Sequence, residues 1–217
     1  MAYEYDLGAF SQDEHFFTAI NQTATPNIIT IIWPLFTRED YDNDGTLDYF
    51  ERSETKFGNT IGHADLPAET QNTVPLIKSY YNYGFISTHQ NAYRIAMDGT
   101  VDKIFSTEVK DFFDVENTLY ADVGTALYAS TDKGKKWKQV KNNLDNNQAR
   151  NYFYTPPFWG YYSLDKLYIA QPDYSFTEID NGIIATNKIT SVNKFIDSVF
   201  VTTNNGLFIK SINNFVQ

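Results

Sequence analysis

The sequence contains no cysteine, which excludes disulfides, thiolate metal sites and a cysteine nucleophile. Histidine is scarce, and His15, His63 and His89 are scattered without H-E-x-x-H or comparable zinc spacing. Arginine is limited to Arg38, Arg52, Arg94 and Arg150. No apolar run approaches the ~20 residues that carry a helix across a bilayer. The opening Met1-Ala2-Tyr3-Glu4-Tyr5-Asp6 has neither a basic segment nor an apolar stretch, so no signal peptide is expected from it. A Gly-rich phosphate loop and a G-x-S-x-G elbow are both missing. Basic residues are outweighed, and the net charge of -10 argues against a nucleic-acid backbone or an anionic membrane as partner. The same balance suits a chain that binds cations.

Aromatic residues, by contrast, make up 17% of the chain, and with the Asn-containing turns they favour β structure. At 217 residues the chain is long enough to bury a core, as one β domain or two small ones. A hairpin pattern recurs. Leu127-Tyr128-Ala129, Leu167-Tyr168-Ile169 and Leu207-Phe208-Ile209 are spaced by 40 residues, and Leu47 falls on the same grid. Each is preceded by a turn (Asp44-Gly45, Gly124, Asp165-Lys166, Asn205-Gly206) and followed by an aromatic (Phe57, Trp137, Phe176, Phe215). Leu119-Tyr120-Ala121 and Val199-Phe200-Val201 read as strands preceding two of the turns. Ala92-Tyr93-Arg94-Ile95, trailed by Phe105, reads as the shifted fourth copy, and the irregular stretch from His63 to Tyr83 as the place for an insertion.

One small sheet cannot bury both faces alone, so units of this length must stack. The expectation is an all-β, propeller-like repeat of about five units of about 40 residues. Part of a larger propeller and a flat β-sandwich are the alternatives. Ser11-Gln12-Asp13-Glu14 fits a capping box with Phe16, Phe17 and Ile20 at helical spacing, which allows a short N-terminal helix over about residues 11 to 20. The domain division expected is 1–26 as an N-terminal segment and 27–217 as the propeller-like domain.

The candidate metal site is Asp40-Tyr-Asp42-Asn-Asp44-Gly45-Thr46-Leu-Asp48-Tyr-Phe-Glu51. Alternation brings the carboxylates of Asp40, Asp42 and Asp44 to one side of a tight loop, and Gly45 permits the turn. Thr46 offers a backbone carbonyl, Asp48 an oxygen or a bound water, and Glu51 a bidentate carboxylate. That all-oxygen set suits Ca²⁺, and without a cation the carboxylates would repel one another. The stretch fits D-x-[DN]-x-[DN]-G-x₅-E. It resembles the EF-hand loop, which requires a helix on both sides. It equally resembles the calcium loop of FG-GAP propellers, which sits between strands. Asn27 to Phe36 upstream is β-branched, bounded by Pro26 and broken at Pro34, and favours the strand-flanked form. A solvated acidic turn without metal is the plainer reading.

Ser130-Thr131-Asp132-Lys133-Gly134-Lys135-Lys136-Trp137 matches S-x-D-x-G-x-x-W and resembles the Asp-box repeat of sialidases and related propellers. Asp132 is placed to accept backbone N–H bonds, Gly134 to take positive φ, and Trp137 to pack on the hairpin. The resemblance implies a structural element away from any active site. The other units lack this Asp and Gly.

Tyr93-Arg94-Ile95-Ala96 looks like the motif that carries a carboxylate-binding arginine in sialidases, with Ala in place of Pro. The four arginines cannot readily supply the family's constellation, and Arg94 reads instead as an exposed strand residue or an ion-pair member. No carboxylate pair is singled out for glycoside hydrolysis. Catalytic residues are therefore assigned to none. Tyr152 to Tyr162 is dense in aromatics around Pro156-Pro157 and reads as filling between sheets, with sugar stacking or partner docking as its functional alternative. Lys133, Lys135, Lys136, Lys138 and Lys141 read as a solvated hairpin face.

These features point to a non-catalytic, calcium-stabilised propeller serving as a structural or protein-interaction module in a larger surface or virion assembly. The setting expected is extracellular, cell-surface or virion rather than cytoplasmic. The alternative is a glycan-binding or sialidase-like propeller.

Overall fold

The computed structural model describes residues 6–10, 17–21, 28–32, 34–37, 54–57, 63–65 and 76–215, apart from 82, 97, 180, 181, 185 and 186. Among these residues the chain is almost entirely β, with antiparallel sheets and two short 3-10 turns at Gly182–Ile184 and Ile212–Asn214. Two compact units divide it: Met1–Phe112 with Asp132–Lys136, and Phe113–Thr131 with Trp137–Gln217.

In the first unit, β1 (Asp6–Phe10), β2 (Phe17–Asn21) and β3 (Ile28–Ile32) form a meander. A hairpin of β4 (Pro34–Thr37) and β5 (Glu54–Phe57) follows before β6 (His63–Asp65) completes the sheet beside β3. The helix allowed over about residues 11 to 20 is therefore not formed at its C-terminal end. Phe17 to Asn21 is a strand, paired from Phe17↔Ile32 to Asn21↔Ile28. Phe17, Thr18 and Ile20 are aromatic or β-branched, and their pairing with β3 outweighs a marginal helical spacing. This pairing also crosses the 26/27 boundary drawn from the sequence. A further hairpin, β4 with β5, lies ahead of the His63-to-Tyr83 stretch, in which residues 66–75 lie outside the described residues.

The second sheet of this unit is β7 (Leu76–Tyr80), β8 (Tyr83–Ser87), β9 (Ala92–Ile95) and β10 (Val101–Phe105), with neighbours in chain order. Its core is Phe85, Ile86, Ala92, Ile95 and Val109, all at most 1% exposed. Phe112 is buried beside it, with its ring 5.2 Å from that of Phe85.

The later sheets repeat the plan. β11 (Asp111–Val115), β12 (Thr118–Asp122), β13 (Leu127–Ser130) and β14 (Lys138–Lys141) form one. β15 (Asn151–Thr155), β16 (Phe158–Ser163), β17 (Lys166–Ala170) and β18 (Phe176–Ile179) form the next. β19 (Ile189–Phe195), β20 (Ser198–Thr203) and β21 (Gly206–Ser211) form a three-stranded sheet.

The 40-residue rhythm maps onto this plan at its later stations, while Leu47 lies outside the described residues. Leu127, Leu167 and Leu207 each stand in the third strand of successive sheets, and Ala92 to Ile95 is the third strand of the sheet before them. Leu127 and Leu167 are buried, at 0% and 1% exposure, while Leu207 is 55% exposed.

First strands of successive sheets run side by side within each unit: β1 with β7 in the first, β15 with β19 in the second. Tyr80 on β7 donates through its hydroxyl to the Phe112 carbonyl at 2.9 Å, and Lys78 pairs with Asp111 at 3.4 Å. In the second unit the Phe113 ring stacks on Tyr152 with centroids 3.9 Å apart. Among the described residues, two apolar clusters lie in this unit. One gathers Phe113, Val115, Tyr120 and Leu127; the other gathers Phe153, Leu167, Ile169, Val199, Val201 and Phe215 among others. Their aromatic bulk is what thin sheets need to cover one another's faces.

Candidate functional site

Asp40, Asp42, Asp44, Thr46, Asp48 and Glu51 all lie outside the described residues. The elements on either side are described. Upstream is β4, downstream is β5, and the two pair antiparallel from Pro34↔Phe57 to Thr37↔Glu54. The acid-rich segment thus leaves one strand of a hairpin and enters the other. Among the described residues no group of three or more His, Asp or Glu side chains could hold a metal.

Arg94 is not the exposed residue expected. It is 7% exposed, its Nη1 pairs with Asp102 Oδ2 at 3.1 Å, and its guanidinium carbon lies 3.6 Å from the centre of the Tyr83 ring. Its Nε donates to the Lys133 carbonyl at 3.0 Å. The ion-pair half of the expectation holds. The burial follows from the register, since Arg94 sits on an inner strand opposite Phe85 and Asp102. The Asp132-to-Lys136 turn is built on Asp132, whose Oδ1 accepts from Lys135 N at 3.1 Å and Lys136 N at 2.8 Å. Lys133 and Gly134 take φ of 60° and 78°, a conformation glycine adopts freely. Arg94 and Asp132 together therefore hold a turn, and the Arg94 guanidinium is engaged by Asp102, Tyr83 and the Lys133 carbonyl rather than open to a substrate carboxylate.

The scattered histidines gain little. His89, 62% exposed at its side chain, lies 3.2 Å from Glu108, which also binds Lys110. Burial pushes the Glu108 carboxyl up, but the bonds from Lys110 and His89 outweigh it and hold the group below its ordinary value.

The aromatic segment splits in two. Tyr152, Trp159 and Tyr161 turn into the unit, where Trp159 meets Phe176 edge-on and Tyr161 stacks on Tyr168 at 4.6 Å. Pro156-Pro157, joined by a cis bond, is the whole turn between β15 and β16, with Thr155 paired to Phe158. Tyr154 remains 36% exposed, and its hydroxyl donates to Glu116 at 3.0 Å. Lys194 donates to the Pro156 carbonyl at 2.8 Å. Those two bonds link the first turns of three consecutive sheets. Sequence reasoning missed this alignment because Glu116, Tyr154 and Lys194 are 38 and 40 positions apart, and only the sheet count brings them together. The 40-residue period was the available signal. Lys133, Lys135, Lys136 and Lys138 are exposed and Lys141 is half-buried, with Lys138 and Lys141 on the outer strand β14.

No family model matches the chain, and no curated protein does. Solved structures resemble it. Hsv2 of Kluyveromyces lactis aligns with a TM-score of 0.55 at 14% identity, over 98% of this chain and 62% of that one. PorZ of Porphyromonas gingivalis, described as an essential bacterial surface component of the type-IX secretion system, aligns with a TM-score of 0.54 at 9% identity, over 97% of this chain and 27% of that one. The computationally designed protein Ika8 aligns with a TM-score of 0.55 at 9% identity, over 95% of this chain and 58% of that one. Each of the three is longer than the chain and is matched over less than two thirds of its length. At such identities the likeness is one of fold, and Hsv2 and PorZ are propeller-like.

Proposed function

We propose that this chain is a β-propeller-like repeat, complete or part of a larger ring, that works as a structural or protein-interaction module rather than as a catalyst. The observation carrying this reading is the succession of like sheets, with β1 beside β7 and β15 beside β19, fitted along almost its whole length by larger propeller-like proteins. The Asp-box reading of Ser130 to Trp137 rests on the eight-residue match and is supported by the bonds Asp132 makes. The glycan-hydrolysing alternative is not favoured, because Arg94, its one tempting residue, is covered by Tyr83 and paired with Asp102.

Ca²⁺ belongs to the same proposal. Asp40, Asp42, Asp44, Thr46, Asp48 and Glu51 would ligate it, and the paired strands β4 and β5 on either side favour the FG-GAP kind of loop over an EF-hand, which enters and leaves through helices. A bound cation would tie down a long connection within a hairpin. Ligand binding to the folded state raises stability by mass action, about 2.7 kcal/mol at a hundredfold excess over the dissociation constant. The test is thermal unfolding with added Ca²⁺ or EGTA. A calcium-dependent rise in melting temperature that disappears in Asp42→Ala and Asp44→Ala is expected, and no shift in the native protein rejects the site. The interaction reading is tested by solution mass and cross-linking in the source organism's extract. A monomer without cross-linked partners counts against it.

A further inference from the structure

In the second unit, three turns stand next to one another: Glu116-Asn117 between β11 and β12, Pro156-Pro157 between β15 and β16, and Ile196-Asp197 between β19 and β20. The Tyr154–Glu116 bond at 3.0 Å joins the first pair, and the Lys194–Pro156 bond at 2.8 Å the second. We propose that this row of turns is a docking surface for a segment of another protein that presents apolar side chains beside a lysine or arginine. The proposal deepens the interaction-module reading and rests on it.

Three observations carry the inference. The first is apolar exposure in one place. Phe195 is 68% and Ile196 71% exposed, and Tyr154, Pro156 and Pro157 are exposed beside them. Exposed apolar residues gathered in one patch mark interaction surfaces, whereas single ones need no explanation. The second is that the residue choice works against folding. Ile196 has φ of 54° and Glu116 of 49°. This left-handed region disfavours side chains with a Cβ, and most of all β-branched ones. Asn or Gly would make both turns at lower cost. Ile196 therefore combines backbone strain with 71% exposure; Leu164 shares that pairing at the β16–β17 turn (φ 54°, 68% exposed), but only Ile196 has a second exposed apolar residue, Phe195, adjacent to it.

The third observation is charge. Glu116 and Asp197 flank the apolar row, and Asp114 lies close enough to Tyr154 to act on its hydroxyl. The opposing charge in the row is Lys194, whose ammonium donates to the Pro156 carbonyl. A basic partner group is complementary to this rim. The chemistry disfavours the rival occupants. An anionic lipid surface would meet carboxylates of its own sign. A sugar would gain no hydrogen bond from Phe195 or Ile196. A second copy of the chain brings the same excess of carboxylate over ammonium in its own row, so its charge suits this rim less well than a basic segment does.

The experiment selects a phage-displayed library of random linear peptides against the full chain. It is then repeated on Phe195→Ser with Ile196→Asn, and separately on Glu116→Gln with Asp197→Asn. Asn tolerates the left-handed turn, so the first variant should fold at least as well as the native chain, which a thermal melt confirms. The expected result is enrichment of peptides that combine apolar residues with Lys or Arg. The first variant should weaken their binding by about tenfold or more. The second should weaken it less and flatten its salt dependence. Enriched peptides that bind both variants as well as the native chain overturn the surface while leaving the interaction-module reading standing. Acidic or wholly polar winners overturn the assigned chemistry. Failure to enrich any peptide overturns the proposal, and the cross-linking result then decides the broader reading by itself.

Discussion

Arg150 lies fork to fork against Asp122, with Nε donating to Oδ2 at 2.8 Å and Nη2 to Oδ1 at 3.0 Å, and both side chains only 2% exposed. The pair is closed on every side. Arg150 also donates to the Gly124 carbonyl at 2.6 Å and the Asp145 carbonyl at 2.7 Å, while Asp122 accepts from Gly124 N at 2.7 Å and from the Tyr152 hydroxyl at 3.0 Å. It ties the β12–β13 turn to the start of β15. Removing one partner strands the other charge in the interior, which costs about 3–5 kcal/mol. Asp122→Ala and Arg150→Ala should each lose about that much in urea unfolding. The double variant should lose clearly less than the sum, because no charge is then orphaned. Strict additivity would mean the two groups do not act as a pair.

Gly160 lies on β16 opposite Ile169 of β17, where no room is left for a side chain. A Cβ placed there would meet the Tyr168 carbonyl oxygen at 1.9 Å, and that oxygen belongs to the facing strand β17. The strand cannot retreat without disturbing the pairing on both sides and the Tyr161–Tyr168 stack. Gly160→Ala should therefore cost about 3 kcal/mol or more, at the upper end of what overpacking produces. An equilibrium denaturation curve within experimental error of the native one would refute the register.

Thr155 offers the opposite case. It is fully buried, and its Oγ1 has no hydrogen-bond partner. A buried polar atom without a partner carries its desolvation cost uncompensated, about 1–3 kcal/mol. Thr155→Val keeps the shape and removes the hydroxyl, so it should leave stability unchanged or raise it by about 1 kcal/mol. A clear loss of stability would show that the hydroxyl has a partner in solution, such as a bound water.

These sites differ in how far the sequence announced them. The period was legible because Leu127 and Leu167 must be buried at the same station of each sheet, and equal stations give equal spacing. The turn at Asp132 was legible for a similar reason, since a short carboxylate, a glycine and two backbone donors are a local device. The Asp122–Arg150 pair left no such trace. Its members are 28 positions apart, and nothing around either residue distinguishes it from a surface charge. Arg94 misled for the same reason, as its cover is Tyr83 from a different strand. Phe17 to Ile20 misled differently: the apolar spacing fits a helical turn and a strand about equally over so few residues, and only the partner strand β3 decides.

The buried tyrosines should control how the protein fails in alkali. Burial, and then the neighbouring Tyr168, pushes the Tyr161 hydroxyl up to about 12. Tyr120 and Tyr152 are also raised, each first by burial, then by Tyr174 for the one and Asp122 for the other. A tyrosine in the unfolded chain titrates near 10. Between pH 10 and about 12 the unfolded chain has therefore released protons that the folded chain still holds, so rising pH favours unfolding. The stability these hydroxyls contribute is whole below pH 10 and drains away as pH climbs toward the folded value. Urea midpoints should be flat against tyrosine titration up to pH 10 and fall beyond it. Phenolate absorbance should rise near pH 10 in denaturant but lag in the native protein, with the last tyrosines ionising only as the near-ultraviolet signal of packed aromatics collapses. Phe substituted for Tyr161 keeps the ring and removes the titrating group, so the fall above pH 10 should become shallower in that variant. If native tyrosines all ionise near pH 10 with the fold intact, these rings are not packed as described.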